Sequence, residues 1–177
     1  AVFAPLSESK ALVGPVVQPA PEIRATFEHE LFELSHAVFL ANGNVRDALL
    51  VAERAVRARP TDKVWREKAA RTAEWAGRSD LALVHWFYLA ERGDREAGQS
   101  VLRLSRALQE FPLRMRLLEQ MIREQQLSQE LLVEYLYVAE GLGLPQQAYD
   151  LLASGELRGV DPVWQLSQQA RLAEMLG

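Results

Sequence analysis

Three residues near the start of the chain have the types and spacing of a metal site. His29, Glu33 and His36 follow one another at intervals of four and three residues, so they share one face of a helix. Two histidines and one carboxylate are the ligand set of a facial iron site, and Glu33-x-x-His36 has the spacing of half a di-iron carboxylate motif. The sequence contains no second Glu-x-x-His. We therefore predict no metal, with His36 packed and hydrogen-bonded, His29 solvated and His85 structural.

Other chemistry lacks the residues that it needs. The 177 residues include no cysteine, which removes disulfides, Cys-ligated zinc and a thiol nucleophile. The sequence contains no phosphate-binding Gly-Lys-Ser/Thr, no Gly-x-Gly-x-x-Gly and no Gly-x-Ser-x-Gly. A net charge of −4 gives no basic excess for neutralising phosphates. We predict a protein that is not an enzyme, takes no cofactor and binds no nucleic acid.

The pattern of apolar residues indicates helices throughout the chain after a short leader. Residues 1–22 are rich in proline and are predicted to be extended. From Ile23 onward apolar residues recur at three and four, as at Phe27, Leu31, Leu34 and Val38, which is helical periodicity. Turn residues then recur at short intervals, which predicts about nine helices joined by short connections.

Glycine and alanine recur with a period near 34 residues. Gly43, Gly77, Gly143 and Gly177 are separated by 34, 66 and 34 residues, and an alanine lies five residues after each of the first three, at Ala48, Ala82 and Ala148. Glycine closes a helix in the left-handed conformation, and a small residue lets two helices approach closely. This period with two helices per unit is the tetratricopeptide signature. The sequence predicts an all-α solenoid of antiparallel helix hairpins with a right-handed superhelix.

The array at residues 23–177 divides into four repeats, at about 27–60, 61–94, 95–127 and 128–160, followed by a lone helix at 161–177. The third is degenerate, with Glu110 and Met115 where glycine and alanine are expected. Because a terminal repeat needs a polar cap, the lone helix is either that cap or part of an array that continues, and we expect continuation. Most aromatic residues are expected to fill gaps between helices: Trp65, Trp164, Trp75, Trp86, Phe87, Tyr88, Tyr135, Tyr137 and Tyr149.

The surface of the array is the expected functional site. First helices of stacked hairpins line a concave face suited to extended partners. The predicted inward-facing polar residues are Glu33, Glu67, Arg71, Glu74, Tyr137 and Glu140. This mixed to acidic set differs from the Lys and Asn of repeats that clamp a terminal carboxylate, and it favours a basic partner. The alternative for each residue is an ordinary solvated charge.

The run from Ala73 to Ala90, with Ala-Glu-Trp-Ala-Gly followed by Ala-Leu and Trp-Phe-Tyr, resembles the tetratricopeptide region of PelB-type proteins, the outer-membrane components of exopolysaccharide secretion in Gram-negative bacteria. The resemblance implies a periplasmic array that recruits a polysaccharide deacetylase and hydrolase and guides polymer to an outer-membrane pore. Membrane contact would then come only from regions outside this chain.

Two alternatives remain open at this stage. One is direct binding of a cationic amino sugar polymer through exposed aromatic rings and carboxylates. The other is a cytosolic repeat adaptor that captures a peptide. Exposed ring faces would favour the glycan, and a continuous groove with a hydrophobic floor would favour protein or peptide.

Overall fold

The computed structural model describes residues 21–124, 128–154, 157 and 159–177. All regular structure in these residues is helical, and consecutive helices contact each other in sequence order. The helices are α1 Pro21–Ala41, α2 Val45–Ala58, α3 Lys63–Trp75, α4 Ser79–Ala90, α5 Arg95–Leu108, α6 Phe111–Arg123, α7 Gln129–Gly141, α8 Pro145–Ala153 and α9 Pro162–Leu176. The predicted all-α array of antiparallel hairpins is confirmed over the described part of the chain.

The helices alternate between two kinds. First helices are α1, α3, α5, α7 and α9, and second helices are α2, α4, α6 and α8. Helix α1 begins at Pro21, so two residues that were assigned to the extended leader are helical, and residues 1–20 of that leader lie outside the described part. None of the helices that the structure describes has the length and apolar content to cross a membrane.

Each hairpin is closed by a residue in the left-handed conformation. Gly43, Gly77 and Gly143 have φ of 70°, 71° and 72°. The amide of each donates to the carbonyl three residues earlier, and the next amide donates to the carbonyl one residue further back, as in Asn44 N–H to Phe39 O at 2.8 Å. This pair of bonds is the Schellman motif, which satisfies the last carbonyls of the first helix.

The third hairpin is closed by Gln109, so the predicted alignment of Glu110 with the glycines is wrong. Gln109 has φ of 57°, its amide donates to Arg106 O at 3.3 Å, and Glu110 N–H donates to Ser105 O at 2.9 Å. The alignment failed because it assumed a period of 33, whereas Gly77 and Gln109 are 32 residues apart. The residue five positions after the closing residue is therefore Arg114, and not Met115.

Small residues allow the two helices of a hairpin to approach each other. Ala48, Ala82 and Ala148, each five residues after a closing glycine, are fully buried. Trp65 opens α3 and is also fully buried, with its ring edge-on to those of Phe32 and His36 in α1. The prediction that Trp65 fills the space between the first two repeats is confirmed, and the apolar core follows the array from hairpin to hairpin.

Two aromatic residues that were expected in the core lie on the surface instead. Trp86, Phe87 and Tyr135 are buried as predicted, whereas Trp75 and Tyr137 are 62% and 61% exposed. Both exposed residues are on first helices, on the side turned away from the partner helix of the hairpin. Residue type alone does not distinguish this side from the buried one, because a large aromatic residue fits either.

Candidate interaction surface on the first helices

The three residues of the apparent metal site do not come together as ligands. His36 is buried and its Nε2 lies 3.0 Å from Thr72 Oγ1, as predicted. His29 is half-buried and its Nδ1 accepts a hydrogen bond from Trp65 Nε1 at 3.3 Å, so the prediction of a solvated His29 is wrong. Glu33 pairs with Lys68. Throughout the described residues, no three His, Asp or Glu side chains are grouped as metal ligands.

Burial controls the protonation of His36. It lowers the pKa of the imidazole below its ordinary value of 6.5, and the nearby charge of Lys68 acts in the same direction. The carboxylate of Glu33 opposes both. A neutral His36 fits a packed position beside Thr72 better than a metal site.

Ion pairs join consecutive first helices, and we call this series the first-helix ladder. Its four rungs are Glu33–Lys68, Glu74–Arg103 at 2.6 Å, Arg106–Glu134 at 2.6 Å and Glu140–Arg171 at 2.6 Å. Because most of these side chains are partly exposed, each exposed rung contributes only about 0–1 kcal/mol. One rung thus connects each first helix to the next.

The ladder accounts for half of the six residues that the sequence singled out as partner-binding. Glu33, Glu74 and Glu140 are rungs, and Arg71 pairs with Glu67 at 2.8 Å within α3. Arg71 also lies 3.3 Å from Glu96 of α5. These carboxylates already have basic neighbours in the chain, so the expectation of a basic partner loses its electrostatic basis at these positions.

Two of the four rungs, one on each side of the junction between α5 and α7, follow a simple rule that sequence reasoning missed. Glu74 and Glu140 lie three residues before a closing residue, and their partners Arg103 and Arg171 lie six residues before the next one. Arg103 and Arg171 were absent from the predicted site, although alignment by the closing residue would have found them. The rule breaks between α5 and α7, where Arg106 takes the carboxylate position and Tyr137 takes the arginine position.

A cleft of about 560 Å3 lies at this break, and we call it the Arg114 cleft. Its walls come from α5, α6, α7 and the turn between α5 and α6. The lining residues are Arg106, Gln109, Phe111, Arg114, Glu134 and Tyr137. A second cleft of about 270 Å3 lies between α7 and α9, and Tyr137 also lines this one. Tyr137 thus stands between two neighbouring clefts on the first-helix side.

Exposed apolar side chains are concentrated on the same helices. In the described part of the chain, first helices carry all the large apolar side chains that are more than a third exposed, apart from Leu50, Val84 and Leu144. The others are Phe27, Leu31, Leu34, Val38, Val64, Trp75, Leu108, Val133, Tyr137, Val163, Leu166, Met175 and Leu176. Eight of these thirteen side chains lie on the terminal helices α1 and α9, and the other five lie on α3, α5 and α7. Their concentration on first helices makes these helices the candidate interaction surface.

Comparisons with known proteins add little to this picture. No family model matches the chain, and no curated protein matches it. Among solved structures, the chain is similar to a putative kinesin light chain of Podospora anserina with nearly identical TPR-like repeats, at 19% sequence identity and a TM-score of 0.40, over 87% of each chain. At this identity and TM-score, the hairpins and their closing turns remain the basis of the fold assignment.

Proposed function

We propose that this chain is a non-enzymatic scaffold that binds a protein partner through its first helices. The observation that carries the proposal is the distribution of exposed apolar side chains, which lie mainly on the first helices and include the rings of Trp75 and Tyr137. Exposed aromatic residues flanked by polar residues are typical of the energetic centre of a protein interface. The second helices offer mainly the isolated side chains of Leu50 and Val84.

The more specific proposal is a role in a Pel-like exopolysaccharide export system, in the periplasm. It rests on the resemblance of residues 73–90 to PelB-type repeats. In that setting the partner is the periplasmic polysaccharide deacetylase and hydrolase, and the array holds this enzyme where polymer passes toward an outer-membrane pore.

The test is calorimetric titration of the 177-residue chain with that deacetylase, after a pull-down. Trp75→Ala with Tyr137→Ala removes the two exposed rings of the first helices. Leu50→Ala with Val84→Ala is the matched control, because it removes two side chains of similar exposure from second helices. We expect saturable binding that the first pair weakens about tenfold or more, which corresponds to about 1.4 kcal/mol, and that the control pair leaves within about twofold.

A direct glycan-binding surface is the second candidate, because the exposure of Trp75 and Tyr137 leaves ring surface available for stacking on sugars. A deacetylated amino sugar oligomer is therefore titrated in parallel. Saturation by the oligomer with no binding of the enzyme would replace the scaffold proposal by the glycan one. Binding of the enzyme that both variant pairs weaken equally would contradict the assignment to the first helices.

A further inference from the structure

Arg114 has no counterpart in the other hairpins. It lies five residues after the closing residue of its hairpin, where the other three have Ala48, Ala82 and Ala148. Those alanines are fully buried, and Arg114 is itself only 3% exposed. A buried cation thus occupies the place of a methyl group, at a point where two helices elsewhere approach closely.

The guanidinium of Arg114 lacks a hydrogen-bond partner for a buried donor. Its Nε lies 3.2 Å from Glu134 Oε1, which is the distance of an ion pair, but the direction does not satisfy a hydrogen bond and Nε is buried without one. Both oxygens of Glu134 instead accept from Arg106, at 3.0 and 2.6 Å. The single carboxylate of Glu134 therefore interacts with two guanidinium groups, those of Arg106 and Arg114. The three groups together keep an excess positive charge.

Arg114 is one of the residues that line the Arg114 cleft. Aromatic rings flank the guanidinium, whose carbon lies 5.0 Å from the ring centre of Phe111 and 5.6 Å from that of Tyr137. The two ring centres are 6.0 Å apart. A buried charged donor without a hydrogen-bond partner is costly, so an acceptor that approaches the guanidinium from the cleft would recover part of that cost.

We propose that the Arg114 cleft binds the side-chain carboxylate of an extended acidic segment of a partner polypeptide. A guanidinium in low-dielectric surroundings favours a carboxylate over a neutral acceptor, and the exposed ring of Tyr137 packs on the apolar part of the segment. The choice of a polypeptide rests on the proposed function as a protein scaffold.

The surroundings of Phe111 argue against a sugar as the occupant. Its ring lies between the Arg114 guanidinium and Gly141 of α7, where an added Cβ would be only 3.1 Å from Phe111 Cε1. With the guanidinium over the ring and Gly141 beside Cε1, Phe111 offers a sugar less ring surface than Tyr137, which is 61% exposed.

The test uses the arginine Nε–Hε signals of the 177-residue chain in NMR spectra. The probe is acetyl-Ala-Glu-Ala-amide, whose only carboxylate is the side chain. The matched probe is acetyl-Ala-Gln-Ala-amide, and sodium glucuronate supplies a carboxylate on a sugar. Arg114→Ala restores the residue of the other hairpins, so we expect it to fold, which thermal unfolding checks. Arg116→Ala is the control on the same helix, since Arg116 is exposed and paired with Glu91.

We expect the Glu peptide to shift the signals of Arg114 and Arg106 saturably, since both residues line the cleft. In Arg114→Ala the Arg106 signal should report about tenfold weaker binding, and Arg116→Ala should change the affinity by less than about twofold. An equal response to the Gln peptide, or binding that survives Arg114→Ala, would overturn the proposal. A response to glucuronate without one to the Glu peptide would overturn the choice of a polypeptide.

This result is separable from that of the titration with the deacetylase. If the chain binds the Glu peptide saturably but does not bind the deacetylase, the proposed site in the Arg114 cleft is supported, and only the named partner is excluded. If the chain binds the deacetylase but not the Glu peptide, the proposed ligand of the Arg114 cleft is excluded, and the proposed scaffold function stands.

Discussion

The two junctions between α5 and its neighbouring first helices, α3 and α7, differ in the polarity of their buried residues. Between α3 and α5, Glu74 accepts from Trp86 Nε1 at 2.7 Å and from Arg103 at 2.6 Å, above an apolar core that includes the fully buried Ala82. Between α5 and α7, the buried Arg114 is paired with Glu134, whose side chain is 14% exposed, and a cleft remains open. The first junction is a packed interface with an ion pair at its rim, whereas the second has the ion pair inside.

This difference shows where an array of this kind gains a site. A repeat that follows the common pattern uses its small residue and its closing glycine to bring the helices together. The third repeat has Arg114 and Gln109 at those two positions, and the cleft lies beside both. The candidate cleft therefore lies where the third repeat departs from the repeat pattern, and not at the ion pairs that recur along the first helices.

Removing the charge of Glu134 should separate the two junctions most clearly. Glu134→Gln leaves Arg114 buried beside a neutral amide, and loss of one partner from a buried pair is strongly destabilising. We expect the free energy of unfolding to fall by about 2 kcal/mol. Glu74→Gln is the matched variant, and we expect less than about 1 kcal/mol because Arg103 is more than half exposed. Urea unfolding at pH 7 measures both, and equal losses would mean that the junctions do not differ in this respect.

Replacing Gln109 by glycine should lower the conformational cost of the third hairpin's turn toward that of the other hairpins. The left-handed conformation costs a residue with a Cβ about 1–2 kcal/mol. Glycine avoids this cost but loses more conformational entropy on folding, which offsets part of the stabilisation. We therefore expect Gln109→Gly to raise the free energy of unfolding by about 1 kcal/mol.

Gly77→Gln is the converse change at the regular hairpin. No atom lies within 4 Å of an added Cβ there, so the left-handed backbone alone sets the penalty, and we expect a loss of about 1 kcal/mol. Thermal or urea unfolding reports both variants. A stabilising Gly77→Gln would show that the closing residue is not under conformational strain.

The sequence was sufficient for the helices and for most of the hairpins because glycine, alanine and the buried tryptophans report local geometry. It predicted the burial of Trp65 and Trp86 and the packing of His36. It placed the third closing residue at Glu110 because a shortened interval cannot be seen without the backbone. It missed the Arg114 cleft because that site depends on the side chains of three helices, and nothing local marks Arg114 as buried.

Acid should affect the first two repeats before the junction between α5 and α7. The pKa of His36 is lowered by burial and by Lys68, with Glu33 opposing, so below about pH 6.5 the unfolded chain binds more protons than the folded one. The stability that comes from the neutral imidazole is therefore present above the unfolded pKa and is lost as the pH falls. Between about pH 7.5 and 6 we expect a loss below about 1 kcal/mol.

The control for acid is His36→Leu, since Leu102 and Leu136 occupy the equivalent positions of α5 and α7. This variant should lose most of the pH dependence in urea unfolding. Hydrogen exchange should show the effect of acid in α1 and α3 of the unmodified chain, because His36 lies in α1 and its hydrogen-bond partner Thr72 lies in α3. Exchange that accelerates first in α7 would contradict this order.

The ion pairs of the ladder that lie outside the cleft should have the smallest coupling energies of the contacts compared. In Glu140–Arg171 the side chains are 26% and 42% exposed, and in Glu74–Arg103 they are 26% and 58% exposed. Double-mutant cycles with glutamine at each position should give coupling energies of about 0.5 kcal/mol for both pairs. At about 1 M salt, where screening acts over about 3 Å, the coupling should nearly vanish. The Arg114–Glu134 pair, whose side chains are 4% and 14% exposed, should keep most of its coupling at that salt concentration, because a largely buried pair is screened much less than an exposed one. Coupling at Glu140–Arg171 that resisted salt as well would show that the rungs stabilise the array as strongly as the interior of the cleft does.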